Sequence, residues 1–127
     1  MLSRRTTLLA IAASPLLANV GFAASTIRSG TFTGKSRHEA SGTASLVEES
    51  GSFTVQLGAD FSFDGAPDPK IALGRNGYDP ATLLAPLASD SGAQTYAVPA
   101  AIDAASYNEI WIWCERFNVP LGLAILK

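Results

Sequence analysis

Two residues of this 127-residue chain offer chemistry that no other residue in it can: Cys114, the one cysteine, and His38, the one histidine. A thiolate is a nucleophile and a soft metal ligand. An imidazole ligates metals and moves protons near neutral pH. Their number limits what they can build. A blue-copper site needs two histidines beside its cysteine, and a structural zinc site needs four ligands. Covalent c-type haem needs Cys-x-x-Cys-His, which is absent. No metal centre is assigned. What survives is a non-covalent haem ligated by Cys114, His38 or both, or Cys114 acting as a bare thiol without any cofactor. A hydrolytic Cys–His pair would need an orienting third group and an oxyanion hole, and no local signature for either is visible. Asp60, Asp68 and Glu115 form no acid–base pattern and read as turn and rim positions. Asp60, Asp64 and Asp68 are spaced too widely for an EF-hand loop.

The element that must position the thiol is Ile110-Trp111-Ile112-Trp113-Cys114-Glu115-Arg116-Phe117. β-Branched and aromatic residues dominate it, so it reads as a strand. Alternation puts Ile110, Ile112, Cys114 and Arg116 on one face and Trp111, Trp113, Glu115 and Phe117 on the other. Both faces begin apolar, as a central strand requires. Burial beside Ile110 and Ile112 is the plain reading of Cys114. Arg116 on the same face would lower the thiol pKa if it stays near. For Trp111 and Trp113 the plain reading is a hydrophobic cover for the sheet, and the sharper one is packing on a planar cofactor.

The chain opens with a short basic segment, Ser3-Arg4-Arg5, and then runs from Leu8 to Phe22 without a charge. Gly21-Phe22-Ala23 supplies small residues for a signal peptidase, so residues 1–23 read as a cleavable signal helix. The arginine pair also resembles a twin-arginine export signal, in part. Export to the periplasm or beyond follows, with residues 24–127 as the single mature domain. Losing Arg4 and Arg5 takes the formal charge from −2 to −4. That surface leaves no electrostatic footprint for nucleic acid. No later apolar run reaches the length of a membrane span. An exported chain with one cysteine has no internal disulfide, and its thiol is a liability unless buried, ligated or used.

Along the mature chain, strands are expected at Thr31–Thr33, His38–Val47 with a bulge at Gly42, and Ser52–Leu57. Asp60–Phe63 is expected to continue the last of these. Further strands are expected at Lys70–Leu73 and Gln94–Pro99, before the Trp-Cys strand. A closing strand has Leu121, Leu123 and Ile125 on one face. Glu48-Glu49-Ser50-Gly51 reads as a hairpin turn and Asn76-Gly77 as a turn. Ala81 to Leu84 reads as one helical turn. Turns every ten residues or so define a small antiparallel β-sandwich or barrel-like domain, all-β in class.

Ile112-Trp113-Cys114 with Phe117, Val119, Gly122, Ala124 and Leu126 resembles the C-terminal signature of the DM-thirteen domain. This is a family of small secreted β-domains, found in animals beside DOMON domains. Gly92, Gln94, Tyr96 and Pro99 are similar to a second element of that family. His38 with Ser41-Gly42-Thr43-Ala44 resembles an earlier one, as does Asp60-Phe61 followed by Gly65, Pro67 and Asp68. Ala66 between Gly65 and Pro67, and Pro69, depart from the pattern. The resemblance implies a β-sandwich-like fold and an electron-transfer role centred on the cysteine, as thiol or as cofactor ligand.

Two functions are therefore expected to compete. One is an exported electron-transfer module with Cys114 as redox thiol or ligand, His38 as a second ligand or base, and Trp111 and Trp113 around the site. Its redox partner is not readable from the sequence. The other is a non-catalytic binding or structural domain whose two indoles form an exposed patch for a protein partner. The sequence leaves open whether the protein is an enzyme, and an electron-transfer or binding module is the expected role. A functional sulfur should show an opening, an imidazole or a cation within reach.

Overall fold

A computed structural model describes residues 23–127, so the expected signal helix lies outside the described residues except at its last position. Ten strands follow in order: β1 Ser25–Gly34, β2 Ala40–Ser41, β3 Thr43–Glu49, β4 Ser52–Leu57, β5 Ser62–Phe63, β6 Pro69–Gly74, β7 Ala85–Pro86, β8 Gln94–Val98, β9 Glu109–Cys114 and β10 Val119–Ile125. Two 3-10 turns, Pro80–Thr82 and Ala104–Ser106, interrupt them. Eight strands form one antiparallel sheet in the order β7-β6-β9-β10-β1-β3-β4-β8, and β2 pairs with β5 apart from it. β1 pairs with β3 over Ser25–Thr31 and with β10 over Phe32–Gly34. It thus turns the corner between two halves, which gives the barrel-like form expected of the chain. Among the described residues no helix is long and apolar enough to cross a membrane.

Alternation explains the core. Leu46 of β3, Val55 and Leu57 of β4, Ile71 and Leu73 of β6, and Ile110 and Ile112 of β9 all bury one face of their strands. Phe61 and Phe32 meet edge to face among them, centroids 5.4 Å apart. Glu48–Gly51 behaves as expected, with Ser50 at φ 54° and Gly51 at φ 83° joining the β3–β4 hairpin.

Three expectations need correction. β10 does not keep Leu121, Leu123 and Ile125 on one face. A register shift between Pro120 and Gly122 turns Ala124 and Leu126 inward and leaves Ile125 exposed. Asp60–Phe63 does not extend β4, because Ser62 and Phe63 pair with β2 instead. The expected His38–Val47 strand is broken at Gly42, whose φ is +97°. A Cβ at that glycine would also stand 2.5 Å from the Asp60 carbonyl oxygen. Asp60 fixes the break by accepting from Thr43 N–H at 2.9 Å and from the Thr43 hydroxyl at 2.8 Å.

β6 has only the two-residue β7 on its outer edge, and a side chain completes the pairing. Thr82, fully buried, accepts from Leu73 N–H at 2.9 Å and presents its hydroxyl to the Leu73 carbonyl at 2.8 Å. Thr82→Val keeps the shape but strands the Leu73 N–H, while the Leu73 carbonyl keeps the Asp79 N–H at 3.1 Å, at an expected loss of about 1–3 kcal/mol. The drop in urea midpoint, with unchanged m, measures it.

Candidate functional site: the cysteine strand and the histidine groove

β9 lies between β6 and β10, the central position its two apolar faces require. Ile110, Ile112 and Cys114 point inward as the alternation predicts, and Cys114 is 1 % exposed. The thiol is unpaired. It stands opposite Pro69 and Val119 in register and belongs to the main apolar core. Arg116 does not share its face. The strand ends at Cys114, and Arg116 lies in the exposed turn with its guanidinium 5.9 Å from the Phe117 ring. Asp68 holds that turn by accepting from Arg116 N–H at 2.9 Å. Lys70 pairs with both Glu115 and Asp68 alongside.

The outer face of β9 is an aromatic cluster. Tyr78 lies flat on Trp113, centroids 3.8 Å apart and planes 11° from parallel, and Trp111 meets Trp113 edge-on at 5.8 Å. Both indoles are half-buried. Trp111 Nε1–H donates to Glu109 Oε1 at 3.0 Å, and Trp113 Nε1–H donates to Asn118 Oδ1 at 3.1 Å. Burial pushes the Tyr78 phenol pKa up, with the Glu115 charge adding to it. The turn through Asn76 and Gly77 delivers both the Tyr78 ring and the Gly77 N–H, which donates to the same Glu109 oxygen at 3.0 Å. The sequence reading placed that turn but missed Tyr78 and Glu109. Nothing in local periodicity marks a loop residue whose ring covers a strand far along the chain.

His38 lies elsewhere. It follows a tight turn in which Ser36 and Arg37 both take positive φ, 54° and 68°, closed by His38 N–H donating to the Lys35 carbonyl at 2.9 Å. Asn-Gly is the usual choice for such a turn, so strain is held here. The imidazole stacks on Phe63 at 5.6 Å, and its Nδ1 is 2.8 Å from Asp64 Oδ1. Asp64 Oδ2 accepts from Glu39 N–H at 3.0 Å. With Nδ1 so engaged, Nε2 is left for other partners. The ring lines an open groove of about 480 Å³ with Phe32, Ala40, Ser41 and Ser62. Cys114 does not line it. The structure therefore does not pair the two chemically distinctive residues: the imidazole has Asp64 and Phe63, and the sulfur has the core, without the opening, the imidazole or the cation expected of a functional thiol. Among the described residues no set of three or more His, Cys, Asp and Glu side chains gathers to hold a metal ion.

The His38 hydrogen bond, and then the Glu39 N–H, hold the Asp64 carboxyl below its ordinary pKa. In acid the unfolded chain then binds a proton that the folded chain refuses, so stability rises with pH. Asp64's contribution is fully present above the unfolded carboxylate pKa and is lost as pH falls through its lowered folded value. Asp64→Asn is expected to flatten the acid limb of stability between about pH 5 and pH 2. Urea midpoints across that range check it.

A small antiparallel β-domain whose central strand carries aromatics outside and an unpaired thiol inside is the class that fold and site define. The chain belongs to the electron transfer DM13 family, whose model matches residues 31–126. It is the family that the Trp-Cys element resembles, and membership makes this an electron-transfer-type domain. No curated protein and no solved structure matches the chain.

Proposed function

We propose that the protein is an exported electron-transfer module in which Cys114 is the redox residue. One observation carries this: in a domain of electron-transfer type, the unpaired thiol of Cys114 is the next residue of β9 after Trp113 and its Tyr78 stack, on the opposite face of the strand. Burial restricts the chemistry. Disulfide exchange needs a thiolate to approach the sulfur it attacks. At 1 % exposure, Cys114 denies that approach to a partner's cysteine while β9 stays in the sheet. A one-electron step needs no such contact: a one-electron acceptor outside the domain is reduced by one through the strand, the S–H bond breaks to leave a thiyl radical, and the proton leaves to water.

A haem on Cys114 does not fit, because the sulfur is enclosed by core side chains and lines none of the grooves described. His38 is the residue that fits one. A ligating imidazole normally gives its other nitrogen to a carboxylate, as Nδ1 does here to Asp64. The groove volume falls within the usual range for small-ligand sites. Such a group, when bound, would supply one-electron iron chemistry.

Voltammetry and the visible spectrum of protein purified from the periplasm test the reading. A redox wave present in wild type and lost in Cys114→Ser supports it. A wave unchanged in Cys114→Ser sinks it. A Soret band lost in His38→Gln would place haem in the groove. Cys114→Ser puts an unpartnered hydroxyl in the core at about 1–3 kcal/mol. Cys114→Ala, which adds no polar atom, serves as the control for folding.

The half-buried outward indoles favour a second reading, a binding domain without chemistry. In that case Trp111→Ala and Trp113→Ala abolish association and Cys114→Ala does not. Association that survives the double Trp variant removes this reading.

A further inference from the structure

We propose that Trp111 is a proton-coupled one-electron site, with Glu109 as its proton acceptor, on the outer face of β9. The proposal rests on the electron-transfer reading but not on Cys114.

An indole that loses an electron becomes a far stronger acid at Nε1, so the fate of the oxidised ring depends on what that N–H faces. Trp111 Nε1–H faces a carboxylate oxygen at 3.0 Å, within the reach proton transfer requires. Trp113 Nε1–H faces only the Asn118 amide oxygen at 3.1 Å, which takes no proton near neutral pH. Of the two indoles, one has a base.

The arrangement is built rather than incidental. Gly74 lies beside Glu109 in register. A Cβ at Gly74 would stand 2.4 Å from the Gly77 carbonyl oxygen, 2.5 Å from Trp111 Nε1 and 2.8 Å from Glu109 Oε1. A side chain on β6 is therefore missing where the indole and carboxylate meet. The Gly77 N–H fixes the carboxylate oxygen from the other side at 3.0 Å. Beside this pair, the Tyr78–Trp113 stack meets Trp111 edge-on and packs the indole in place.

The step balances as follows. Trp111 gives one electron to an external one-electron oxidant of the metal-centre class, which is reduced by one. The Nε1–H bond breaks and an O–H bond forms at Glu109 Oε1. The pair passes from a neutral indole and a carboxylate to a neutral indolyl radical and a carboxylic acid, and re-reduction reverses it.

The test is flash oxidation of the full chain by photogenerated ruthenium(III) tris-bipyridine, read by transient absorption and electron paramagnetic resonance. Wild type is expected to give the neutral indolyl radical. Glu109→Gln, which keeps an acceptor oxygen but no base, is expected to shift the spectrum to the radical cation. Trp111→Phe is expected to lose the neutral species. The same spectrum in Glu109→Gln as in wild type, or an undiminished neutral radical in Trp111→Phe, overturns the proposal. Cys114→Ser should keep the wild-type signal. A failure of the cysteine reading in voltammetry is thereby told apart from a failure here.

Discussion

Gly34→Ala is expected to destabilise the domain by about 3 kcal/mol, the upper end for overpacking, and to pull His38 from its partners. The reason is backbone against backbone. A Cβ at Gly34 would stand 1.8 Å from the His38 carbonyl oxygen and 2.7 Å from its carbon. No flexible side chain can yield there. The chain that would have to move is already tied. Lys35 N–H donates to the Leu121 carbonyl at 2.9 Å, and His38 N–H closes its strained turn onto Lys35. Moving the turn outward would part Nδ1 from Asp64 and the ring from Phe63. For a domain of this size the loss is a large share of total stability. The urea midpoint should fall with unchanged m, and the His38 ring resonances should move toward those of a free imidazole. A change within about 0.5 kcal/mol, ordinary for a surface substitution, would show that the turn is not pinned.

Short-range pattern made the strands legible and left their neighbours illegible. Period-two alternation in Ile110–Cys114 settled which face the sulfur takes, because every odd step there is aromatic and every even step is not. The same logic failed in β10, where a bulge after Pro120 changes the phase without any polar residue to announce it. Arg116 was expected beside Cys114 only because alternation was carried past the end of the strand; Asp68, from a distant loop, ends it there. The candidate site divided for the same reason. Cys114 and His38 stood out by scarcity, which says nothing of where each is folded. The partners that give each its character are Asp64 for the imidazole and Tyr78, Glu109 and Gly74 around the indoles. All of these are common residue types: turns bring in Asp64 and Tyr78, and the β6–β9 register sets Gly74 beside Glu109. Asn76-Gly77 was readable as a turn, but that it aims a phenol at Trp113 follows only from the β6–β9 register.

That register also sets what truncating Ile112 should do. Ile112 is fully buried in β9, opposite Ile71 of β6 and Gly122 of β10. Its Cδ1 fills the space Gly122 leaves, since a Cβ there would come within 3.2 Å of it. Both flanking strands are hydrogen-bonded to β9, so neither can close on the void. Ile112→Ala is therefore expected to cost about 2–5 kcal/mol, toward the upper part of that range. The consequence reaches the sulfur two residues along the same face. If Cys114 is reached only when the domain opens as a whole, its maleimide labelling under fast reclosing follows the population of the open form. Labelling should then accelerate about tenfold for every 1.4 kcal/mol lost, in step with the urea-derived stability. A rate that stays flat while stability falls would mean that a small local movement of β9 exposes the thiol in the folded protein. Disulfide exchange with a partner would then be open to Cys114, and passage of electrons through the strand would no longer be its one route.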